Sequence, residues 1–209
     1  MFEIAEVRNI KDPWKVTNVD LDPLLIAIRA ATYGTKMEID TKCEKCETEA
    51  RYDVDLSNLM ATFKSGNYSK PLILDNVQIK FKPMPFTEIN NAGLIQFELQ
   101  KTLQYLIAIE DDTERNTKTA EAMRKLNDTY LDMLCQMIEY IRVPEAIVMD
   151  KEHILDFLKN SDKLSYNKIR DYSLELKQQT DLQPLKIKCQ NCGHEYDQVF
   201  TVNATDFFA

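Results

Sequence analysis

The chain of 209 residues contains few of the residues that interrupt regular structure, with only four glycines and seven prolines. Long loops depend on both residue types, so their scarcity favours a largely helical chain with short connections. No apolar run reaches the roughly 18 residues that a membrane-spanning helix needs, so we expect no membrane span. The first residues, Met1 to Glu6, lack the basic and then apolar order of a signal peptide. We therefore expect a protein that folds in a reducing cytosol.

Basic residues are outnumbered, with 26 Lys and Arg against 34 Asp and Glu, which gives a net charge of −8. Because contacts to the phosphates of a nucleic acid duplex require a basic face, we expect no nucleic acid partner. The sequence also lacks a Gly-rich phosphate loop and a G-x-S-x-G motif, and neither of its two histidines has a local catalytic partner. We therefore predict that the protein is not an enzyme.

Two C-x-x-C pairs are the strongest motifs that the chain does contain. Cys43 and Cys46 form the first pair, and Cys189 and Cys192 form the second. Each pair lies between two runs of alternating apolar and polar residues, which predict β-strands. A C-x-x-C at the tip of a hairpin is typical of a zinc knuckle, and two knuckles supply the four thiolates of a structural zinc site. The sequence therefore predicts one structural Zn site to which both ends of the chain contribute.

Other interpretations of the cysteine pairs fit less well. Disulfides are disfavoured in a reducing compartment, and a thioredoxin-like centre needs a helix after the pair, where this chain has strands. A c-type haem site needs His directly after the second Cys, whereas here Gly193 precedes His194. Four thiols without metal are the simplest alternative, and His194 is an alternative ligand. Gly193 suits the tight turn of the second knuckle, whereas Glu47 stands at the equivalent place in the first.

The segment between the knuckles is predicted to be mainly helical. Periodicity and boundary signals predict helices over residues 22–34, 87–110 and 117–142, a turn over 111–116, shorter helices after Asp150 and near Ser165, and a hairpin over 72–82. In the first helix, Asp22 is the expected N-cap, Pro23 is expected at the first helical position and Gly34 ends the helix. Cys135 lies on the apolar side of the second long helix and is predicted to be a core residue.

These predictions together describe an α+β fold, in which both chain ends form a small antiparallel zinc-knuckle sheet and the middle segment is helical. Residues 1–86 are expected to hold an N-terminal arm, a helix and the first knuckle. Residues 87–181 are expected to form a helical insert. Residues 182–209 are expected to supply the second knuckle and to complete the N-terminal sheet.

One segment also resembles a known family. Residues 22–34, with the sequence DPLLIAIRAATYG, are followed by the first C-x-x-C and then by Val54-Asp55-Leu56. This order is similar to that of the baseplate hub assembly proteins of T-even-type tailed bacteriophages. In that family a leucine-rich L-L-x-A-I-R-x-A-T-Y-G helix precedes a cysteine knuckle and a V-D-L strand. The run Lys80-Phe81-Lys82-Pro83 before long helices is also similar, and the resemblance covers most of the chain.

The resemblance implies a non-enzymatic baseplate hub component or assembly chaperone, whose partners are other phage baseplate hub proteins. It implies action in the host cytoplasm during tail assembly, late in infection, and leaves open whether the protein stays in the virion. From the residues alone, the alternative is a zinc-ribbon module that binds nucleic acid or a transcription complex. A redox enzyme is a third class, and it would require a cysteine thiol of low pKa.

Overall fold

The computed structural model of the chain describes residues 12–107, 109 and 111–200. Much of the predicted N-terminal arm and the last nine residues lie outside these ranges. The helices are α1 (Asn18–Tyr33), α2 (Leu56–Thr62), α3 (Phe86–Leu106), α4 (Asp112–Met137), α5 (Lys151–Asn160) and α6 (Lys163–Thr180). The strands are β1 (Lys36–Lys42), β2 (Glu49–Asp55), β3 (Leu72–Leu74), β4 (Val77–Phe81), β5 (Ile138–Val143), β6 (Ala146–Val148), β7 (Leu185–Lys188) and β8 (Glu195–Gln198). The predicted α+β class with small antiparallel sheets is confirmed.

The strands of the described ranges form three antiparallel sheets. β1 pairs with β2 and β7 pairs with β8, and the third sheet has the order β3-β4-β5-β6. The second knuckle was expected to complete the N-terminal sheet, but in the described part of the chain β7 and β8 pair only with each other, so the two knuckle hairpins are separate two-stranded sheets. Along β2, Tyr52 and Val54 are shielded while Arg51 and Asp53 are exposed, which is the period-two pattern of a half-buried strand.

The described residues divide into two compact units, each with its own core. The knuckle unit contains residues 19–66 and 177–200, and the central unit contains residues 12–18 and 67–176. The core of the knuckle unit is a small cluster built from Ile26, Leu56, Leu59 and Phe200. The core of the central unit is larger: its buried residues are Ile79, Phe81, Leu131, Leu134, Cys135, Ile138, Ile141, Ile154, Leu158, Ile169 and Leu176. None of the helices within the described ranges is both long and apolar enough to cross a bilayer.

The first helix begins four residues earlier than predicted, at Asn18 and not after Asp22. The Asn18 amide donates to the Met84 carbonyl at 2.9 Å, and the Met84 amide donates to Asn18 Oδ1 at 3.1 Å. This pairing satisfies polar groups at the helix start, so Asp22 is not needed as a cap. Pro23 lies inside the helix, where it removes one amide donor. The predicted end is confirmed: Gly34 has a φ of +91°.

The second long helix was predicted over residues 117–142, and both predicted ends are wrong: α4 runs from Asp112 to Met137. The polar stretch from residue 112 is helical, because Asp111 Oδ1 accepts from the Glu114 amide at 2.8 Å as an N-cap. The helix ends at Met137, and Ile138–Val143 is strand β5, which pairs with β4. The Lys151 ammonium donates to the carbonyls of Cys135 at 2.8 Å and Ile138 at 2.6 Å, where the helix ends. The predicted helical insert, residues 87–181, thus holds two strands as well as four helices in its described part.

Candidate metal centre

Each C-x-x-C pair lies in a six-residue loop that joins two paired strands. The last strand pairs before the loops are Lys42 with Glu49 and Lys188 with Glu195. In the first loop the Cys43 amide donates to the Thr48 carbonyl at 3.0 Å. The equivalent bond in the second loop runs from the Cys189 amide to the His194 carbonyl at 2.8 Å. Both pairs therefore lie at hairpin tips, where the alternating sequence predicted them.

The residue after the second cysteine takes a left-handed conformation in both loops. Gly193 has a φ of +69° and Glu47 a φ of +57°. Their amides donate back to the first cysteine of each loop, Gly193 to the Cys189 carbonyl and Glu47 to the Cys43 carbonyl, each at 2.9 Å. This conformation is natural for glycine and costs about 1–2 kcal/mol for a residue with a side chain. The first knuckle thus forms the same turn as the second despite Glu47.

The four sulfur atoms of Cys43, Cys46, Cys189 and Cys192 all lie within 4.8 Å of one another. Across the two hairpins, Cys43 Sγ lies 3.8 Å from Cys192 Sγ, and Cys46 Sγ lies 3.6 Å from Cys189 Sγ. A tetrahedral zinc ion with Zn–S bonds of about 2.3 Å places its sulfur ligands about 3.8 Å apart. A disulfide would instead need about 2 Å between sulfurs. The spacing therefore fits one metal ion held by four thiolates.

The sulfur cluster is shielded on one side and open on the other. The first cysteine of each pair is buried, with Cys43 1% and Cys189 3% exposed, whereas Cys46 is half-buried and Cys192 is exposed. This gives the metal site an entry path through the outer cysteines. Four protein ligands fill a tetrahedral coordination sphere, so such a site has no position for a reactive water.

Hydrogen bonds to sulfur favour the thiolate form at two positions. The Thr48 hydroxyl, 3.3 Å from Cys46 Sγ, and then the Thr48 amide lower the pKa of Cys46 to about 5. The Cys192 amide lowers the pKa of Cys189. At Cys192 the bond from the His194 amide lowers the pKa, but desolvation and the neighbouring sulfurs outweigh it and raise that pKa to about 11. Each thiolate disfavours deprotonation of its neighbours because like charges repel. A bound dication neutralises this repulsion.

Side chains from the two hairpins bind one another away from the sulfurs. Thr41, which is buried, donates from Oγ1 to Gln198 Oε1 at 2.8 Å and lies 3.1 Å from the Tyr196 hydroxyl. The Tyr52 hydroxyl donates to the Lys188 carbonyl at 3.1 Å. The hairpins thus meet through polar contacts that the sequence analysis did not identify, since these residues are more than 130 positions apart.

Asn191 also connects the two hairpins, and local sequence patterns did not predict this role. Its Nδ2 donates to Thr48 Oγ1 at 3.0 Å and lies 3.7 Å from Cys46 Sγ, so it joins the second knuckle to the first. The Cys46 thiol donates to the same Thr48 oxygen at 3.3 Å, so Thr48 Oγ1 accepts from both knuckles. Thr48 follows the first knuckle as His194 follows the second, and that alignment is the sequence signal that would have pointed to Thr48.

The remaining candidate residues lie apart from the sulfur cluster. Cys135 is buried in the core of the central unit, as predicted, and its thiol donates to the Lys151 carbonyl at 3.4 Å. The His194 ring stacks on the Tyr196 ring with centroids 6.2 Å apart. His153 lies in the first turn of α5 beside its N-cap, Asp150. Among the described residues, the four cysteines are the only cluster of His, Cys, Asp or Glu side chains arranged to hold a metal.

Comparison with known proteins identifies one family. The model of a family described as T4 bacteriophage base plate protein matches residues 4–209, and so includes both knuckles and the whole segment between them. No curated protein and no solved structure matches the chain significantly.

Proposed function

The chain belongs to the T4 bacteriophage base plate protein family, and from this premise we propose that it is a non-enzymatic baseplate hub component or assembly chaperone. It binds other tail structural proteins while the baseplate is built in the host cytoplasm. The match over residues 4–209 is the observation that carries this proposal. The closed set of four thiols supports it too, because such a set has no open coordination position for catalysis.

The same proposal gives the four thiols a structural role. Cys43, Cys46, Cys189 and Cys192 bind one zinc ion, and their separations of 3.6 and 3.8 Å across the hairpins support this assignment. Zinc supplies no reaction here; it joins two hairpins that are more than 140 residues apart in the chain.

The knuckle unit depends on this metal more than the central unit does. Its core cluster has four buried residues, whereas the central cluster has eleven. A small core leaves little hydrophobic stabilisation to offset the entropy of chain ordering, and metal binding supplies the rest. We therefore expect a strong chelator to abolish the thermal transition of the knuckle unit and to leave most helical circular dichroism intact. Complete loss of helical signal after chelation would contradict this assignment.

The experiment that tests the function is co-expression of the chain with the other baseplate hub proteins of its phage. We expect affinity purification of the chain to recover at least one hub protein together with about one zinc per chain. The control is the double variant Cys43→Ser, Cys189→Ser, which is expected to lose zinc. Failure to recover any hub protein with the zinc-bound chain would contradict the proposal.

A nucleic acid partner is the alternative that this experiment must separate. The net charge of −8 disfavours it. Binding to single-stranded and duplex nucleic acid is therefore measured at increasing salt, and we expect no affinity above background. A measurable affinity that falls steeply with salt would support the alternative, because phosphate contacts release counterions.

A further inference from the structure

Helix α3 carries large apolar side chains on a face that is exposed. Leu94 is 56%, Phe97 55% and Tyr105 75% exposed. These residues are separated by three, eight and eleven positions, and at about 100° per residue they fall on one side of the helix, so they form a single stripe. The buried residues Ala92, Leu99 and Leu106 lie on α3 at other angles, and α3 packs against α4. The stripe is therefore additional to the face that α3 uses inside the central unit.

The two helices of this pair differ in the character of their surfaces. α3 has three charged residues among 21, namely Glu88, Glu98 and Lys101. α4 has nine charged residues among 26. A helix that faces water on its outer side normally carries charge there, as α4 does. The apolar stripe of α3 instead has the composition of a surface that a partner covers.

The charges beside the stripe bear on which partner would fit it. Glu98 and Lys101 are both exposed and flank the centre of the stripe, and the Lys101 ammonium lies 4.4 Å from the centroid of the Phe97 ring. If a second α3 runs antiparallel with its two-fold axis between Leu99 and Gln100, Glu98 of each copy faces Lys101 of the other. The same register sets Leu94 opposite Tyr105. Both the charges and the apolar ends are therefore complementary to a second copy of the same helix.

We propose that two copies of this chain associate through α3 in this antiparallel register. The interface has a two-fold axis, so each contact occurs twice: two Glu98–Lys101 pairs lie at the centre and two Leu94–Tyr105 contacts lie outside them. The 21-residue helix is about 31 Å long, which gives room for all four contacts. Self-association does not depend on the proposed baseplate function, and the zinc-bound protein without any phage partner is sufficient to test it.

The test is a charge exchange followed by sedimentation equilibrium over about two decades of concentration. The unaltered chain is expected to reach twice its mass of 24.3 kDa. Glu98→Lys and Lys101→Glu each create two like-charge contacts, so each single variant is expected to weaken dimerisation about tenfold. The double variant Glu98→Lys, Lys101→Glu restores opposite charges in both contacts and is expected to recover dimerisation.

Two controls make the outcome decisive. Lys125→Glu reverses a charge on the exposed surface of α4 and is expected to leave the dissociation constant unchanged. Circular dichroism checks that the helix content of each variant is retained. A chain that stays monomeric over the whole concentration range would overturn the proposal. Dimerisation that both single variants leave unchanged, or that the double variant does not restore, would also overturn it.

Discussion

The two cysteine knuckles have nearly the same backbone but different sequences and surroundings. Both loops contain six residues and both use the same pair of amide–carbonyl bonds. The second knuckle places Gly193 at the positive φ position, whereas the first places Glu47 there. The first loop therefore forms the same turn as the second, although its sequence favours that turn less.

The polar contacts around the sulfurs are also unequal. Thr48 approaches Cys46 with a side-chain hydroxyl and an amide, whereas His194 approaches Cys192 with its amide. Asn191 of the second knuckle donates to Thr48 of the first. The first knuckle therefore accepts a side-chain hydrogen bond from the second. Single substitutions can test this asymmetry.

The largest effect is expected from removal of a sulfur. Cys43→Ser replaces a proposed zinc ligand that is 1% exposed, so we expect zinc affinity to fall and a hydroxyl to be left in the buried site. Substitutions of residues that contact metal ligands typically lower metal affinity by about 10–100-fold, and the loss of zinc affinity in Cys43→Ser should be larger. Cys192→Ser, at the exposed position, should also reduce zinc affinity but should destabilise the protein less. Competition with a chromogenic chelator and thermal denaturation measure the two effects.

Cys135→Ala is the matched control for both cysteine variants. Cys135 lies in the core of the central unit, so its loss should lower stability and leave the zinc content unchanged. Equal zinc affinity in the Cys43→Ser variant and the unaltered chain would show that this sulfur is not a ligand.

The next largest effects are changes of opposite sign in stability at the two positions of positive φ, Gly193 and Glu47. Gly193→Ala should lower the free energy of unfolding by about 1 kcal/mol because alanine disfavours this conformation. In the described part of the chain no atom beyond its chain neighbours lies within 4 Å of a Cβ built there, so crowding does not contribute. Glu47→Gly should raise stability by about 0.5 kcal/mol, since relief of the strained φ exceeds the entropy that glycine adds to the unfolded chain.

Denaturant unfolding of zinc-bound protein measures both changes. The loss of the exposed Glu47–Lys42 ion pair, 3.2 Å long, is a small effect of Glu47→Gly, and Lys42→Ala serves as its control. Changes of the same sign at the two positions would contradict the assigned turns.

A comparable effect is expected at the contact between the knuckles. Asn191→Ala removes the 3.0 Å bond to Thr48 and should destabilise the protein by about 1 kcal/mol. Lys45→Ala, at the equivalent exposed position of the first knuckle, should change stability by less than about 0.5 kcal/mol. Thermal denaturation of the two variants in parallel checks the difference. Similar values for both would indicate that Asn191 does not join the hairpins.

The smallest expected effect is a change in the number of protons released when zinc binds. Because Thr48 lowers the pKa of Cys46 to about 5, we expect this thiol to be deprotonated at neutral pH and to release no proton when zinc binds. Thr48→Val removes the hydroxyl and should raise that pKa, so binding should release up to one further proton and affinity should fall more steeply as pH decreases. Titration calorimetry in two buffers of different ionisation enthalpy counts the protons. His194→Ala is the control, since His194 acts through its backbone amide.

Much of the knuckle unit follows from local sequence. The strands beside each C-x-x-C alternate with a period of two because one face of each hairpin is shielded, and that pattern is visible in Tyr52 and Val54. Asn191 and Thr41 were not predictable, because their partners lie on the other hairpin. Their roles depend on how two distant segments meet, which local patterns do not encode.

The error at β5 has a different physical cause. Ile138 and Ile141 are three residues apart and continue the apolar stripe of α4, so periodicity alone extends the helix to Arg142. β4 lies alongside and offers backbone hydrogen-bond partners, and Ile141 pairs with Ile79 in that sheet. β-branched residues pack well in this setting, so the tertiary contact outweighs the helical pattern.

X-ray absorption at the zinc edge tests the central claim most directly. On protein purified with its metal, the prediction is one zinc per chain, coordinated by four sulfur atoms at about 2.3 Å. The Cys43→Ser variant is expected to show one sulfur ligand fewer around the zinc ion. A chain purified without zinc, or a shell of mixed nitrogen and sulfur ligands, would contradict the assignment of Cys43, Cys46, Cys189 and Cys192 as a closed structural site.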